Sequence, residues 1–161
     1  MLPGPLGNLV LAATLAYAST RGPARVPEVA APDLQDTAMA EMTASGPVIL
    51  YNPALYRAAG AAREFVRAHE YGHVLLGHLS DEEMLTTAPG RARAEAEADC
   101  FAARAAGQDA VLAMVHLVLS LPPESRDVIY GTKPERARRI LACALVVLRF
   151  NGLQNRTQAV Q

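Results

Sequence analysis

Aromatic side chains make up only 5% of this 161-residue chain, and tryptophan is absent. A sheet core filled by large rings is therefore not expected. Hydrophobic residues reach 51%, ample for one core, and much of that content is alanine, which favours helix and packs thinly. The composition predicts one mainly helical domain whose helices approach closely. A dominant charge sign is also missing: 15 basic side chains stand against 16 acidic ones, for a net charge of -1. That balance leaves no electrostatic footprint for nucleic acid or an anionic membrane surface. Cysteine is scarce as well. Cys100 and Cys143 lie in alanine-rich segments and read as buried free thiols behaving as small hydrophobes, with a disulfide as the alternative; neither has zinc-finger spacing.

No transmembrane helix is expected. The apolar run Leu9–Ala18 is too short to span a bilayer. It closes on Ala16-Tyr17-Ala18, a small-x-small pattern, and a Pro/Ala-rich stretch, Ser19 to Pro32, follows. The pattern is that of a signal peptide, although no Lys or Arg precedes the apolar run. Export to a periplasmic or extracellular location is the expectation, with a cytoplasmic location as the alternative. Residues 1–32 then form a signal-like segment and linker, 33–150 the folded domain, and 151–161 a polar tail.

Within the domain, Thr37–Thr43 and Val48–Tyr51 flank Ser45-Gly46-Pro47 and predict a β-hairpin. Asn52-Pro53 caps a helical turn. A helix over Ala61–Leu76 buries Phe65, Val66, Val74, Leu75 and Leu76 on one side and is closed by Gly77. After a polar connection with Pro89-Gly90 as breaker come a helix over Arg91–Ala106 ended by Gly107, a third over Asp109–Leu121, apolar on several faces, and a fourth over Glu135–Phe150. Pro122-Pro123 stops the third. There is no internal repeat.

The chemistry concentrates in His69-Glu70-Tyr71-Gly72-His73, a match to H-E-x-x-H. On a helix each residue advances about 100°, so histidines four apart fall within about 40° of each other and can grip one zinc ion, with Glu70 beside them to hold a water. Catalytic zinc takes three protein ligands and keeps a position open. His78 lies nearest, but continuing the helix would point it about 180° from His69. It reads as a helix-end histidine contacting backbone or solvent. Glu95 and Asp99 are four apart on the second helix. Glu95 can ligate while Asp99 accepts the outer N–H of a ligand histidine. Glu97 faces about 200° away. The alternative, three solvated acids among Arg91, Arg93 and Arg104, stays open on spacing alone. His116, in the apolar third helix, reads as a core histidine.

His69-Glu70-Tyr71-Gly72-His73 followed by Glu95-x-x-Ala98-Asp99 resembles the gluzincin metallopeptidases, in particular the group of the heat-shock protease HtpX and the CAAX prenyl proteases. The resemblance implies an α+β, mainly α, zincin-like core, with a small hairpin edge packed on the helices that carry the active site and the glutamate. It also implies Zn2+ held by His69, His73 and Glu95, with Glu70 as catalytic base. The same group carries a late H-P-x-x-x-x-R-I segment lining the substrate cleft. Lys133-Pro134 through Arg139-Ile140 resembles it, with Lys133 where the histidine stands. A second resemblance, to the ImmA/IrrE group, rests on His69 through His78 and Glu95 through Ala102 and implies the same ligands and base; no helix-turn-helix or regulatory extension accompanies it.

The reading is a zinc metalloendopeptidase acting on peptide or protein substrates. Lys133, Tyr130 and Arg139 are its candidate contacts to the oxyanion or the substrate chain, although Tyr130 also suits simple packing beside the Gly131 turn. The alternatives are a zinc-stabilised binding module of weak activity and a cytoplasmic regulatory protease.

Overall fold

A computed structural model describes residues 26–121 and 127–158, the side chains of 127, 128 and 146–158 excepted. The signal-like run, Pro122-Pro123 and the end of the tail lie outside those residues. Three strands, β1 (Glu28–Ala30), β2 (Ala38–Thr43) and β3 (Gly46–Tyr51), form a sheet in the order β1-β3-β2. The expected hairpin is β2–β3, paired antiparallel from Ala38 opposite Tyr51 to Thr43 opposite Gly46. Gly46 takes φ +115° at its turn, where glycine adopts positive φ without steric cost. β1 is new. It falls inside the Pro/Ala-rich stretch read as linker and pairs parallel to β3, so β3 is central and, among the described residues, β1 and β2 are the edge strands.

The helices are α1 (Pro53–Ala58), α2 (Ala62–Leu75), α3 (Glu82–Thr86), α4 (Ala88–Ala105), α5 (Gln108–Ser120), α6 (Asp127–Tyr130) and α7 (Lys133–Gln158). Asn52 caps α1 by accepting from the N–H groups of Ala54 and Leu55, as its sequence position predicts. Gly77, at φ +79°, ends α2 in the left-handed conformation that β-carbon sterics otherwise disfavour. Pro89-Gly90 does not break the chain. Thr87 caps α4 through its hydroxyl, which accepts from Gly90 N at 3.0 Å. Pro89 sits in the first turn, where it needs no N–H donor. Gly90 belongs there because a Cβ would strike the Glu83 carbonyl of α3.

Phe65, Val111, Met114, Val118 and Ile140 meet the alanines of α4 in the core. Ala94, Ala98 and Ala102 repeat every four residues and are buried, so α4 turns a flat stripe toward its neighbours. Two expectations about the apolar faces need correction. Leu75 and Leu76 are 62% and 47% exposed, because α2 ends there and the chain turns away. α5 buries one face only, leaving Leu112, Leu119 and His116 exposed. His116 is therefore not a core histidine. Among the described residues no helix is long and apolar enough to cross a membrane.

Cys100 of α4 and Cys143 of α7 form a disulfide, with Cα atoms 5.1 Å apart. The free-thiol reading fails because α4 and α7 pack side by side and bring two small side chains, 43 residues apart in sequence, into register. Cross-linking restricts the unfolded chain more than the folded one. Reduction, or the pair Cys100→Ser and Cys143→Ser, should lower unfolding stability by about 2–4 kcal/mol. Urea titrations with and without reductant check this; coincident curves would contradict it.

Candidate metal centre

His69, Glu70 and His73 project from α2, and Glu95 and Asp99 from α4. The ligand atoms of His69, His73 and Glu95 lie within 4.8 Å of one another. His69 Nε2 is 3.1 Å from Glu95 Oε2 and 3.1 Å from His73 Nε2, while His73 Nε2 is 3.6 Å from Glu95 Oε1. Two imidazole nitrogens and a carboxylate that converge in this way can hold a metal ion. The donor set suits it, since each ring turns its Nε2 inward and its Nδ1 toward another protein group.

The distance between the two helices is set at Gly72. A Cβ there would meet Ala98 Cα at 3.2 Å and the Phe101 ring at 3.2 Å, closer than side chains normally pack. The fourth position of the motif thus works as a spacer that lets Glu95 reach the histidines. Gly72→Ala should weaken metal binding at least tenfold and cost about 1–3 kcal/mol of stability, despite alanine's better helix propensity. Isothermal titration with zinc and thermal unfolding of the metal-free variant test both parts; unchanged affinity would remove the spacer role.

Behind His69 sits Asp99, with no solvent exposure. His69 Nδ1 is 3.1 Å from Asp99 Oδ1, within ion-pair reach but off the line of a hydrogen bond, so Nδ1 has no hydrogen-bond partner among the described residues. Arg136 donates to both Asp99 oxygens, at 3.0 and 2.9 Å, and Arg139 Nη2 donates to Oδ2 at 3.1 Å. Asp99 is thus brought to His69 as its spacing suggests, but it also receives two arginines. Burial pushes the Asp99 carboxyl up, and His69 and Arg136 more than reverse it, holding it below its ordinary value. Glu95 is likewise lowered, since His69 and His73 outweigh its burial.

Burial pulls the His69 imidazole down, but Asp99 and Glu95 overcome it and raise it to about 9. A raised histidine contributes stability in full below its ordinary 6.5 and loses it as pH rises through about 9. In metal-free protein the stability difference between wild type and His69→Gln should therefore shrink between pH 6.5 and 9. The same proton competes with a metal, so zinc affinity should rise over that range. Urea unfolding and zinc titration at the two ends check the signs; a flat response in both would contradict the ion pairing.

Glu70 is buried, and burial raises its carboxyl above the ordinary range. Its Oε2 accepts from Ala40 N on the outer edge of β2 at 2.7 Å. With His69 it lines a cleft of about 470 Å³ whose other walls include Ala38, Tyr130, Lys133 and Arg136.

Of the three candidate contacts in the late segment, Tyr130 and Lys133 border this cleft, and Lys133 Nζ donates to the Leu121 carbonyl. Arg139 is turned to Asp99 and to the Tyr130 carbonyl, at 3.1 Å each. Arg136, which the sequence reading passed over, is the arginine at the cleft, its guanidinium 4.1 Å from the Tyr130 ring centre. The available signal was its i, i+3 relation to Arg139, which places both on one helix face.

Spacing alone places His78 at a helix end against backbone or solvent, and Glu97 away from Glu95. The structure joins them. His78 is 2% exposed, with Nδ1 3.2 Å from His73 Nδ1 and Nε2 3.1 Å from Glu97 Oε2. Burial lowers its imidazole below the ordinary value. Comparison of the chain with family models, with curated proteins and with solved structures finds no match.

Proposed function

We propose that this protein is a zinc-dependent metalloendopeptidase of the gluzincin type. The observation that carries the reading is the meeting of His69, His73 and Glu95 donor atoms beside a buried Glu70, with His69 and Glu70 lining an open cleft. Zinc in such a set supplies Lewis acidity toward a water molecule and a carbonyl oxygen. Asp99 lies 3.1 Å behind the outer nitrogen of His69, and its charge favours the proton on that nitrogen and the lone pair on the inner one, which faces the site. Glu70 takes the proton of the attacking water and returns it to the leaving amine, and a carboxyl raised by burial exchanges protons more readily near neutral pH. The substrate backbone lies extended along β2, the hairpin strand with a free edge, by strand addition, and in pairing there it displaces Glu70 from Ala40 N and frees that carboxylate for the water. Arg136 and Lys133 supply positive charge at the same cleft. The Cys100–Cys143 disulfide supports an oxidising, exported location over the cytoplasm.

A second reading, a zinc-stabilised binding module, draws on two engaged groups: Lys133 is turned to the Leu121 carbonyl, and Glu70 to Ala40 N. The experiment that separates them pairs two variants. Glu70→Gln should keep zinc and lose at least a hundredfold of the hydrolysis of a quenched peptide library. Glu95→Ala should lose much of the metal. Zinc retained by wild type with no hydrolysis beyond that of Glu70→Gln would favour the binding module; undiminished zinc in both His69→Ala and Glu95→Ala would remove the site.

A further inference from the structure

Each metal-facing histidine has a different group behind it. Asp99 stands directly behind His69, whereas His73 is backed by a neutral ring and then a carboxylate: His73 Nδ1 to His78 Nδ1 at 3.2 Å, His78 Nε2 to Glu97 Oε2 at 3.1 Å. The His73 and His78 rings meet edge to face at 78° with centroids 5.1 Å apart, which aims one ring nitrogen at the other.

Only one arrangement of protons satisfies this chain while leaving His73 Nε2 free to ligate. Glu97 accepts only, so His78 Nε2 carries a proton and donates to it. A neutral His78 then has a lone pair on Nδ1 and accepts. His73 Nδ1 must therefore be the protonated nitrogen, which leaves a lone pair on His73 Nε2, the atom 3.1 Å from His69 Nε2. We infer that His78 and Glu97 are positioning residues for the metal centre: they lock His73 in its Nδ1–H tautomer and pass carboxylate character to it through the intervening ring. The inference rests on His69, His73 and Glu95 being the metal ligands, and it holds whether or not the centre hydrolyses peptides. It also gives the left-handed Gly77 a purpose, since that turn folds His78 back beneath the helix it has just left.

The test is zinc affinity, by competition with a chromophoric chelator, for wild type, His78→Phe, His78→Asn and Glu97→Gln, with circular dichroism of each metal-free protein to establish folding. Loss of an outer partner of a ligand histidine typically costs about 10–100-fold in metal affinity. His78→Phe should fall in that range. His78→Asn, whose amide oxygen accepts from His73 and whose amide N–H donates to Glu97, should recover part of it. Glu97→Gln, at a 46% exposed side chain, should weaken binding by about tenfold. Long-range nitrogen–proton spectra of the zinc-loaded wild type should show His73 protonated on Nδ1 and His78 on Nε2, a signature that packing alone does not produce. Equal affinity in Glu97→Gln and folded His78→Phe, or His78 protonated on Nδ1, overturns the inference. If wild type binds zinc and His69→Ala does not, that failure is confined to the relay; if wild type takes up no zinc, the metal reading falls and the relay with it.

Discussion

Asp99 carries a carboxylate into a place without solvent, where an unpaired charge would cost several kcal/mol. It is tolerable there because α7 delivers Arg136 and Arg139, and α2 delivers His69. The three helices that build the site are thus joined at one side chain, a single turn beyond Glu95 on α4. Any shift of α7 that withdrew the arginines would strand the charge behind His69. The disulfide one residue later, Cys100–Cys143, fastens the same pair of helices. The metal donors and the framework of the core are therefore set by overlapping contacts.

The alanine stripe and Gly72 complete that framework from the opposite direction. Ala94, Ala98 and Ala102 offer no bulk, and Gly72 removes the last Cβ between α2 and α4. Thin packing of this kind gains less from burial per residue than a leucine-rich core. In exchange it brings two backbones close enough for the donor atoms of His69, His73 and Glu95 to converge. The large apolar residues Phe65, Met114 and Val118 reach the cleft beside His69 and Glu70, and Ile140 of α7 joins them in the core.

Local rules were most legible where the sequence repeats at helical spacing. The motif helix, the Gly77 stop and the Asn52 cap follow from residue type at a given position, and the geometry brings His69, His73 and Glu95 together as that spacing suggests. What escaped depended on contacts distant in sequence. β1 is three residues long and owes its strand conformation to pairing with β3, which no local pattern announces. His78 escapes helical spacing because Gly77, in the left-handed conformation, turns the chain before it. Glu97, correctly placed away from Glu95 on its own helix, was met there by that reversed chain. Arg136 gained its role from Asp99, across 37 residues. Leu75 and Leu76 carry the composition of a core and lie outside it, because the chain leaves the helix just before a buried surface could form over them.

The contact from Ala40 to Glu70 has a bearing on self-association. A three-stranded sheet has two open edges, and an open edge invites the same strand of another copy. β2 is one such edge, with Met39 exposed on one face of the strand and Met42 on the other. Ala40 is midway along it, and the outward N–H that a second copy would seek is already held by a side chain from α2. A strand arriving there must displace a carboxylate or pair out of step with the middle of β2. The Glu70 carboxylate therefore also guards the sheet, and a substitution that shortens it would leave that edge open to the protein's own copies.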